Sequence, residues 1–211
     1  MTDREKVRAE GSKQGESLTL GVTGHRVDLL SGNDIPQLRC QVRSVLTRFV
    51  QSYGGLLSLV SSLAEGADQL VAEEALSLGF GLISPLPFAR DEYEQDFVRQ
   101  ESVASFRRLL DQATEIEELP GRRDISEVDD GAYAQAGARM LERIDVLLAI
   151  WNGGAARGVG GTAEIVATAR ARRVPIVWIR ASAPYDVRVL ASESDQNVAL
   201  QEILRRVVDI S

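Results

Sequence analysis

The feature that most constrains this chain is the alternation of short apolar runs with longer segments whose apolar residues recur every three or four positions. The short runs predict buried strands, and the longer segments predict amphipathic helices. Strands that are apolar along their whole length are typical of parallel sheets covered on both faces. We therefore predict an α/β fold of the Rossmann type, in which a mainly parallel sheet is the middle of three layers and helices cover both of its faces.

The predicted strands are the short apolar runs, at 17–24, 56–63, 80–87, around Ile116, 145–151 and 174–180. The predicted helices lie between and after them, at 35–55, 65–79, 91–110, 131–144, 160–173 and 195–210. At 211 residues the chain suits one sizeable core. We expect a single nucleotide-binding domain over 17–211, a disordered N-terminal tail over 1–16, and a flexible loop over 117–130, where proline, glycine and mixed charge break the periodicity.

The composition restricts the partners we expect. An excess of 31 acidic over 24 basic residues gives a net charge of -7, so we expect no nucleic-acid polymer as a partner, because such binding needs a basic face. No run is long enough to cross a membrane, and the first residues do not form a signal peptide. A single cysteine and a single histidine provide too few soft ligands for zinc. We expect a cytoplasmic protein with no metal, no cofactor and no membrane partner.

Ligands of open α/β sheets bind outside the carboxyl ends of the strands. The residues that follow the predicted strands are therefore the candidate site. The predicted ligand-binding residues are Gly21, Thr23, Gly24, His25, Arg26, Ser62, Glu65, Gly66, Asp68, Pro87, Phe88, Tyr93, Trp151, Asn152, Gly153, Gly160, Gly161, Thr162 and Glu164.

The chemistry of these segments suits a nucleotide. Glycines let a backbone approach a ligand closely, and Arg26 offers donors to a phosphate. Phe88 or Tyr93 offers a ring on which a base could stack. Two of the residues also have purely structural explanations: His25 as a hydrogen-bonded structural histidine, and Asp68 as the cap of its own helix.

The segment Gly160-Gly161-Thr162 carries the strongest indication. It precedes a predicted helix and follows the strongest predicted strand, 145–151. Free N–H groups and the helix dipole at such a position favour an anion. Glu164, in the first turn, has a charge that suits the dipole, and it can also accept hydrogen bonds from a sugar.

These motifs together resemble the SLOG superfamily of Rossmann-like nucleotide-binding proteins, which has LOG, DprA and YspA-like branches. The resemblance runs from about Ser17 to Arg180 and is carried by GVTGHR, SSLAEGAD, DVLLAIWNG and GVGGTAE. It implies a nucleotide-type small molecule, a nucleoside phosphate or an ADP-ribose type, bound at the carboxyl edge of the sheet. It also implies a homodimer.

The chain departs from the motif P-G-G-x-G-T-x-x-E of the phosphoribohydrolases in this superfamily. It lacks the proline, and Glu164 comes two residues after Thr162 rather than three. Arg139 or Arg143, on the preceding predicted helix, is the candidate for the cation that those enzymes use, although a solvated surface position is the favoured interpretation of either residue.

Three functions therefore stay open. The first is a non-enzymatic sensor of a nucleotide-derived signal, with a separate effector protein. The second is a nucleotide N-glycoside hydrolase, in which Glu164 or Glu65 activates water. The third is a protein-association module whose nucleotide site is vestigial.

Overall fold

The structure is a computed structural model that describes residues 17–30, 35–122, 126–154, 160–190 and 197–208, without the side chains of 126–130. The predicted tail over 1–16 lies outside the described residues.

Seven strands form one sheet, and all but the last run parallel. They are β1 Ser17–Gly24, β2 Leu56–Val60, β3 Gly81–Leu86, β4 Glu115–Glu118, β5 Val146–Ile150, β6 Ile176–Ile179 and β7 Val187–Leu190. Their order across the sheet is β4-β3-β2-β1-β5-β6-β7, with β7 antiparallel to β6. The six predicted strands are confirmed. Strand β7 was not predicted, because it is a four-residue edge strand with a single fully buried side chain.

The helices are α1 Ile35–Tyr53, α2 Ala67–Ser77, α3 Arg90–Tyr93, α4 Gln100–Asp111, α5 Ser126–Leu141, α6 Thr162–Ala171 and α7 Val198–Val208. They cover both faces of the sheet, as the side chains of the interior strand β5 show. Leu148 and Ile150 face a core shared with α1, α2, α4 and α7. Leu147 and Ala149 face a second core shared with α5 and α6. The predicted three-layer α/β fold is confirmed.

The region between β3 and β5 differs most from the prediction. The helix predicted over 91–110 is divided into α3, a 3-10 turn over Glu94–Asp96, and α4. The predicted loop over 117–130 is shorter: Glu117 and Glu118 belong to β4 and α5 begins at Ser126, while residues 123–125 lie outside the described residues. The misplaced start of the loop has a physical cause: β4 is an edge strand with half-buried and exposed side chains that give little apolar signal.

The order of the strands determines where a ligand can enter. From β1 the chain proceeds outward through β2 and β3 to β4, and then returns to the other side of β1 as β5. The connections that leave β1 and β5 therefore diverge, and ligands of open α/β sheets bind near such a switch point, outside the carboxyl ends of the strands. Gly24 and Ile150 are paired at that end of the two strands.

Candidate functional site

A crevice at the carboxyl ends of β1, β2 and β3, closed by α5 and by the start of α6, encloses about 120 Å³. Ten of the predicted site residues line it: Thr23, Gly24, Arg26, Ser62, Asp68, Pro87, Tyr93, Gly160, Gly161 and Thr162. Residues from α5, from α6 and from the strand ends complete the wall: Val22, Ala64, Tyr133, Ala136, Gly137, Met140 and Ile165.

Two glycines allow the elements around the crevice to approach each other. A Cβ atom on Gly24 would lie 2.5 Å from Cβ of Ala67, so the end of β1 could not pack against the start of α2. Gly160 has a φ of +75°, and a Cβ there would lie 2.8 Å from Cβ of Tyr133. The hydroxyl of Thr162 donates to the carbonyl oxygen of Gly24 at 2.9 Å. These contacts fix the start of α6 over the end of β1.

The amino terminus of α6 points its free backbone donors at this region. The helix begins at Thr162 with Gly161 as its N-cap residue. The N–H of Glu164 already donates to the carbonyl oxygen of Gly161, so Thr162 and Ala163 carry the N–H groups of the first turn that have no acceptor within the helix. The carboxylate of Glu164 folds back and accepts a hydrogen bond from the N–H of Gly160 at 2.6 Å. Glu164 therefore holds the backbone at Gly160, just before α6, and it does not line the crevice.

Arg26 is the cation of the crevice. Its guanidinium lies 5.5 Å from the ring centroid of Tyr133. Burial lowers the pKa of Arg26, but the acidic groups around it outweigh burial and raise that pKa above its ordinary value. Those groups are Tyr93, Tyr133, Asp96 and Asp68. Within the part of the chain that the structure describes, Arg26 forms no salt bridge with a carboxylate, so its donors remain available to an anion.

Asp68 is a buried carboxyl group beside Arg26, with 8% of its surface exposed. Burial raises its pKa to about 7. The charge of Arg26 and hydrogen bonds from the backbone of Ala64 and the side chain of Ser61 oppose this rise without cancelling it. Asp68 therefore changes its charge near neutral pH, at the wall of the crevice.

Tyr133 is the main residue of the crevice that the sequence reasoning missed. Its hydroxyl donates to Oδ2 of Asp96, and its ring packs edge-on against Phe88 with centroids 5.4 Å apart. Spacings of four and three residues place Tyr133, Gly137 and Met140 on one face of α5, toward the crevice. That spacing was the available signal, but the same pattern is typical of an ordinary core-facing helix.

Nine of the predicted residues lie outside the crevice lining: Gly21, His25, Glu65, Gly66, Phe88, Trp151, Asn152, Gly153 and Glu164. Phe88 is fully buried in the core, so it presents no ring to a base. Gly21 and Gly66 are needed for packing: a Cβ at Gly21 would lie 2.7 Å from Ile144, and one at Gly66 would lie 2.6 Å from the carbonyl oxygen of His25.

Glu65 has a structural role. Its buried carboxylate accepts hydrogen bonds from the hydroxyl of Ser102 at 2.5 Å and from the N–H of Val98 at 3.2 Å. It therefore ties the segment after β2 to the first turn of α4 and to Val98, which lies between the 3-10 turn and that helix. Neither Glu65 nor Glu164 lies where it would activate a water in the crevice.

The residues after β5 hold the strand ends together on the other side of the α6 amino terminus. The N–H of Asn152 donates to Nε2 of His25 at 3.2 Å. The carbonyl oxygen of Trp151 accepts a hydrogen bond from Trp178 at 2.7 Å. The structural explanation of His25 is thus favoured over ligand contact.

Arg139 and Arg143 do not reach the crevice. Arg139 pairs with Glu117 at 2.8 Å, and Arg143 pairs with Glu115 at 2.6 Å. These ion pairs join α5 to the edge strand β4, so neither arginine supplies a cation to the site. In the described ranges, no group of three or more histidine, cysteine, aspartate or glutamate side chains could hold a metal ion. No helix among the described residues is long and apolar enough to cross a membrane.

No family model and no curated protein matches the sequence. The fold is similar to that of DNA processing protein A (DprA) from Streptococcus pneumoniae, with a TM-score of 0.54 and 16% identity over 79% of this chain and 52% of that chain. It is also similar to DprA from Helicobacter pylori, with a TM-score of 0.50 and 14% identity over 90% of this chain and 72% of that chain. The chain thus spans about half the length of the S. pneumoniae protein. At this identity the similarity establishes the Rossmann-like fold.

One expectation about partners is wrong. The acidic net charge led us to expect no nucleic-acid polymer, but the H. pylori structure concerns the single-stranded DNA binding mode of a protein with this fold. Net charge averages over the whole surface, whereas binding depends on the local field of a cleft. A net charge of -7 therefore does not exclude nucleic acid as a partner.

Proposed function

We propose that this chain binds a nucleotide-derived ligand and that a phosphate group of the ligand occupies the crevice at the carboxyl ends of β1, β2 and β3. The observation that carries the proposal is Arg26, a cation in the crevice wall with no carboxylate in a salt bridge within the described part of the chain. A guanidinium binds phosphate through two parallel hydrogen bonds. The first turn of α6, beginning at Thr162, supplies further donors at the same crevice.

The size of the crevice indicates which part of a nucleotide it holds. Pockets that enclose a whole small molecule measure about 300–1,000 Å³, whereas this crevice encloses about 120 Å³. A phosphate and part of a sugar fit that volume. The base then lies outside it, along the carboxyl edge of the sheet.

Binding without turnover suits the arrangement best. The carboxylates of Glu65 and Glu164 are both engaged in structural hydrogen bonds. Asp68 is the carboxyl group of the crevice lining. We therefore favour a sensor or binding protein over a phosphoribohydrolase, and we assign the chain to the SLOG superfamily on its motifs together with its fold.

A second candidate is binding of single-stranded nucleic acid, in which the bound phosphate belongs to a polymer. The similarity to the H. pylori DprA structure, which concerns single-stranded DNA binding, favours it. A free nucleotide and a polymer would present the same phosphate chemistry to Arg26. The two candidates are therefore distinguished by comparing the affinity for a mononucleotide with the affinity for an oligonucleotide.

The test is a calorimetric titration of the full chain with ADP-ribose, nucleoside monophosphates, cyclic nucleotides and a single-stranded oligonucleotide. Each ligand is then recovered and identified by mass spectrometry. Arg26→Gln is expected to weaken binding by about 30-fold, because a charge-assisted contact is lost. The control Arg139→Gln removes an arginine that pairs with Glu117 outside the crevice, and it should leave affinity unchanged.

The outcomes separate the candidates. Tight binding of a mononucleotide recovered intact supports the sensor. Binding of the oligonucleotide alone supports the second candidate, and recovery of free base would establish hydrolysis. Equal affinities of the Arg26→Gln and wild-type proteins would overturn the assignment of the crevice.

A further inference from the structure

The two ends of the Tyr93 side chain lie in different surroundings. Its ring packs edge-on against Phe97 and Phe106, with centroids 5.3 Å and 5.6 Å apart, and neither phenylalanine lines the crevice. Its hydroxyl lies close enough to Arg26 and Asp68 for both to act on it electrostatically. Tyr93, Arg26 and Asp68 all line the crevice. The hydroxyl therefore faces the crevice, while the ring is fixed in the core.

The hydroxyl of Tyr93 has no hydrogen-bond partner among the residues that the structure describes. Only 1% of the surface of this residue is exposed. The nearby carboxyl group of Asp68 does not bond to it, and instead accepts hydrogen bonds from the backbone of Ala64 and the side chain of Ser61. Polar groups that are buried in proteins are nearly always hydrogen-bonded, because leaving one without a partner costs free energy. An unpartnered hydroxyl in the wall of a crevice therefore indicates that its partner comes from outside the chain.

The surroundings of the Tyr93 hydroxyl indicate what that partner is. Burial raises the pKa of this hydroxyl well above its ordinary value, and the charge of Arg26 opposes the rise without cancelling it. The hydroxyl therefore keeps its proton and can donate a hydrogen bond. An anionic oxygen is the acceptor that suits a hydroxyl beside a guanidinium, because hydrogen bonds to a charged acceptor are the stronger ones.

We propose that Tyr93 binds the ligand through its hydroxyl, which donates a hydrogen bond to an oxygen of the phosphate that Arg26 holds. This inference rests on the proposed function, because it concerns the same phosphate. It differs from the expectation from the sequence that the ring stacks on a base, since the ring of Tyr93 is buried. The packing of the ring against Phe97 and Phe106 holds the hydroxyl in place before the ligand arrives, which lowers the entropic cost of binding.

The first measurement is the dependence of the melting temperature on the concentration of inorganic phosphate, adenosine monophosphate and ADP-ribose. Tyr93→Phe keeps the ring and removes only the hydroxyl, so its affinity for each of these probes should be about tenfold weaker than that of wild type. The control Tyr53→Phe removes a hydroxyl at the end of α1, outside the crevice, and should leave the affinities unchanged. Wild-type affinities in Tyr93→Phe overturn the inference. A loss for the two nucleotides without a loss for inorganic phosphate also overturns it, because the hydroxyl would then contact another part of the ligand.

The second measurement is the melting temperature without any ligand. Because the Tyr93 hydroxyl has no partner within the described part of the chain, ligand-free Tyr93→Phe should melt at the wild-type temperature or above it. A fall of about 3 °C or more would show that the hydroxyl is bonded within the protein, and it would overturn the inference.

The variant Arg26→Gln distinguishes failure of the inference from failure of the proposed function. If Arg26→Gln binds the probes more weakly than wild type and Tyr93→Phe does not, the inference alone fails. If Arg26→Gln binds them as wild type does, or wild type binds none of them, the proposed function fails and the inference fails with it. Weaker binding in both variants, with an unchanged melting temperature for ligand-free Tyr93→Phe, is the result we expect.

Discussion

Asp68 shows how a single residue can link the site to pH. Its carboxyl group lies beside Arg26 in a largely buried position, and burial raises its pKa from 3.8 to about 7. An acid with a raised pKa binds its proton more tightly in the folded state than in the unfolded state. The protonated carboxyl group therefore stabilises the fold most at pH values below its pKa in the unfolded state. This stabilisation is lost as the pH rises toward about 7, its pKa in the folded state.

Replacing Asp68 by asparagine removes this titration while keeping a side chain of the same shape. The free energy of unfolding of the wild type should fall by about 2 kcal/mol from about pH 5 to about pH 8 because of this residue, and Asp68→Asn should not show this fall. Urea unfolding at both pH values measures the difference. Asp28→Asn, at an exposed position outside the crevice, serves as the control. A difference between Asp68→Asn and wild type that does not change with pH would contradict the raised pKa.

At the scale of elements, the amino terminus of α6 is the part of the crevice wall whose backbone donors and helix dipole favour an anion. Gly161 is its N-cap residue, and Thr162 ties the helix start to the end of β1. The dipole and the free N–H groups of this turn act only over a short range, so the placement of the helix start matters more than its length.

Gly161→Asp tests this element. Aspartate is a favourable N-cap residue, so the helix should not be destabilised. Its carboxylate would stand where we expect the phosphate, and nucleotide affinity should fall by about 30-fold or more. Calorimetric titration measures the loss. Gly154→Asp is the control, since a Cβ at Gly154 meets nothing within 4 Å. Unchanged affinity in Gly161→Asp would show that the start of α6 is not part of the binding site.

The edge of the sheet shows a different way to stabilise an element. Strand β4 buries little apolar surface and is instead joined to α5 by the pairs Arg139–Glu117 and Arg143–Glu115. Side chains that are charged and partly exposed give no periodic apolar signal. This is why the segment after Ile116 was predicted as loop.

For the whole molecule, stability comes from a sheet that is buried on both faces. Strand β5 lies in the interior of the sheet, between β1 and β6, and its five residues are all buried. Leu148 belongs to the core shared with α1, α2, α4 and α7, and none of its surface is exposed.

Leu148→Ala should therefore cost about 3 kcal/mol of unfolding free energy, because it leaves a cavity in a core that cannot collapse around it. The matched control is Leu56→Ala, since Leu56 is 69% exposed; it should change stability by about 0.5 kcal/mol or less. Urea unfolding of both variants measures the contrast. Similar losses in the two variants would contradict the described core.

The sequence by itself determined which segments are strands and helices in the core, and it located ten residues of the crevice. Apolar periodicity is a local property, so each segment of the sequence shows it without any knowledge of the segments that pack against it. It also predicted that the glycines and polar residues after the strands belong to the functional edge, because parallel strands end at one edge.

Only the tertiary structure decided which of those residues face the same space. His25 and Arg26 are neighbours in the chain, yet Arg26 lines the crevice while His25 accepts a hydrogen bond from Asn152. Glu65 turns toward α4 while Asp68 remains in the wall, and Tyr133 arrives from α5. The physical reason is that side-chain direction depends on how helices pack across neighbouring strands. The pairing of β1 with β5 joins segments more than a hundred residues apart, and no local pattern records it.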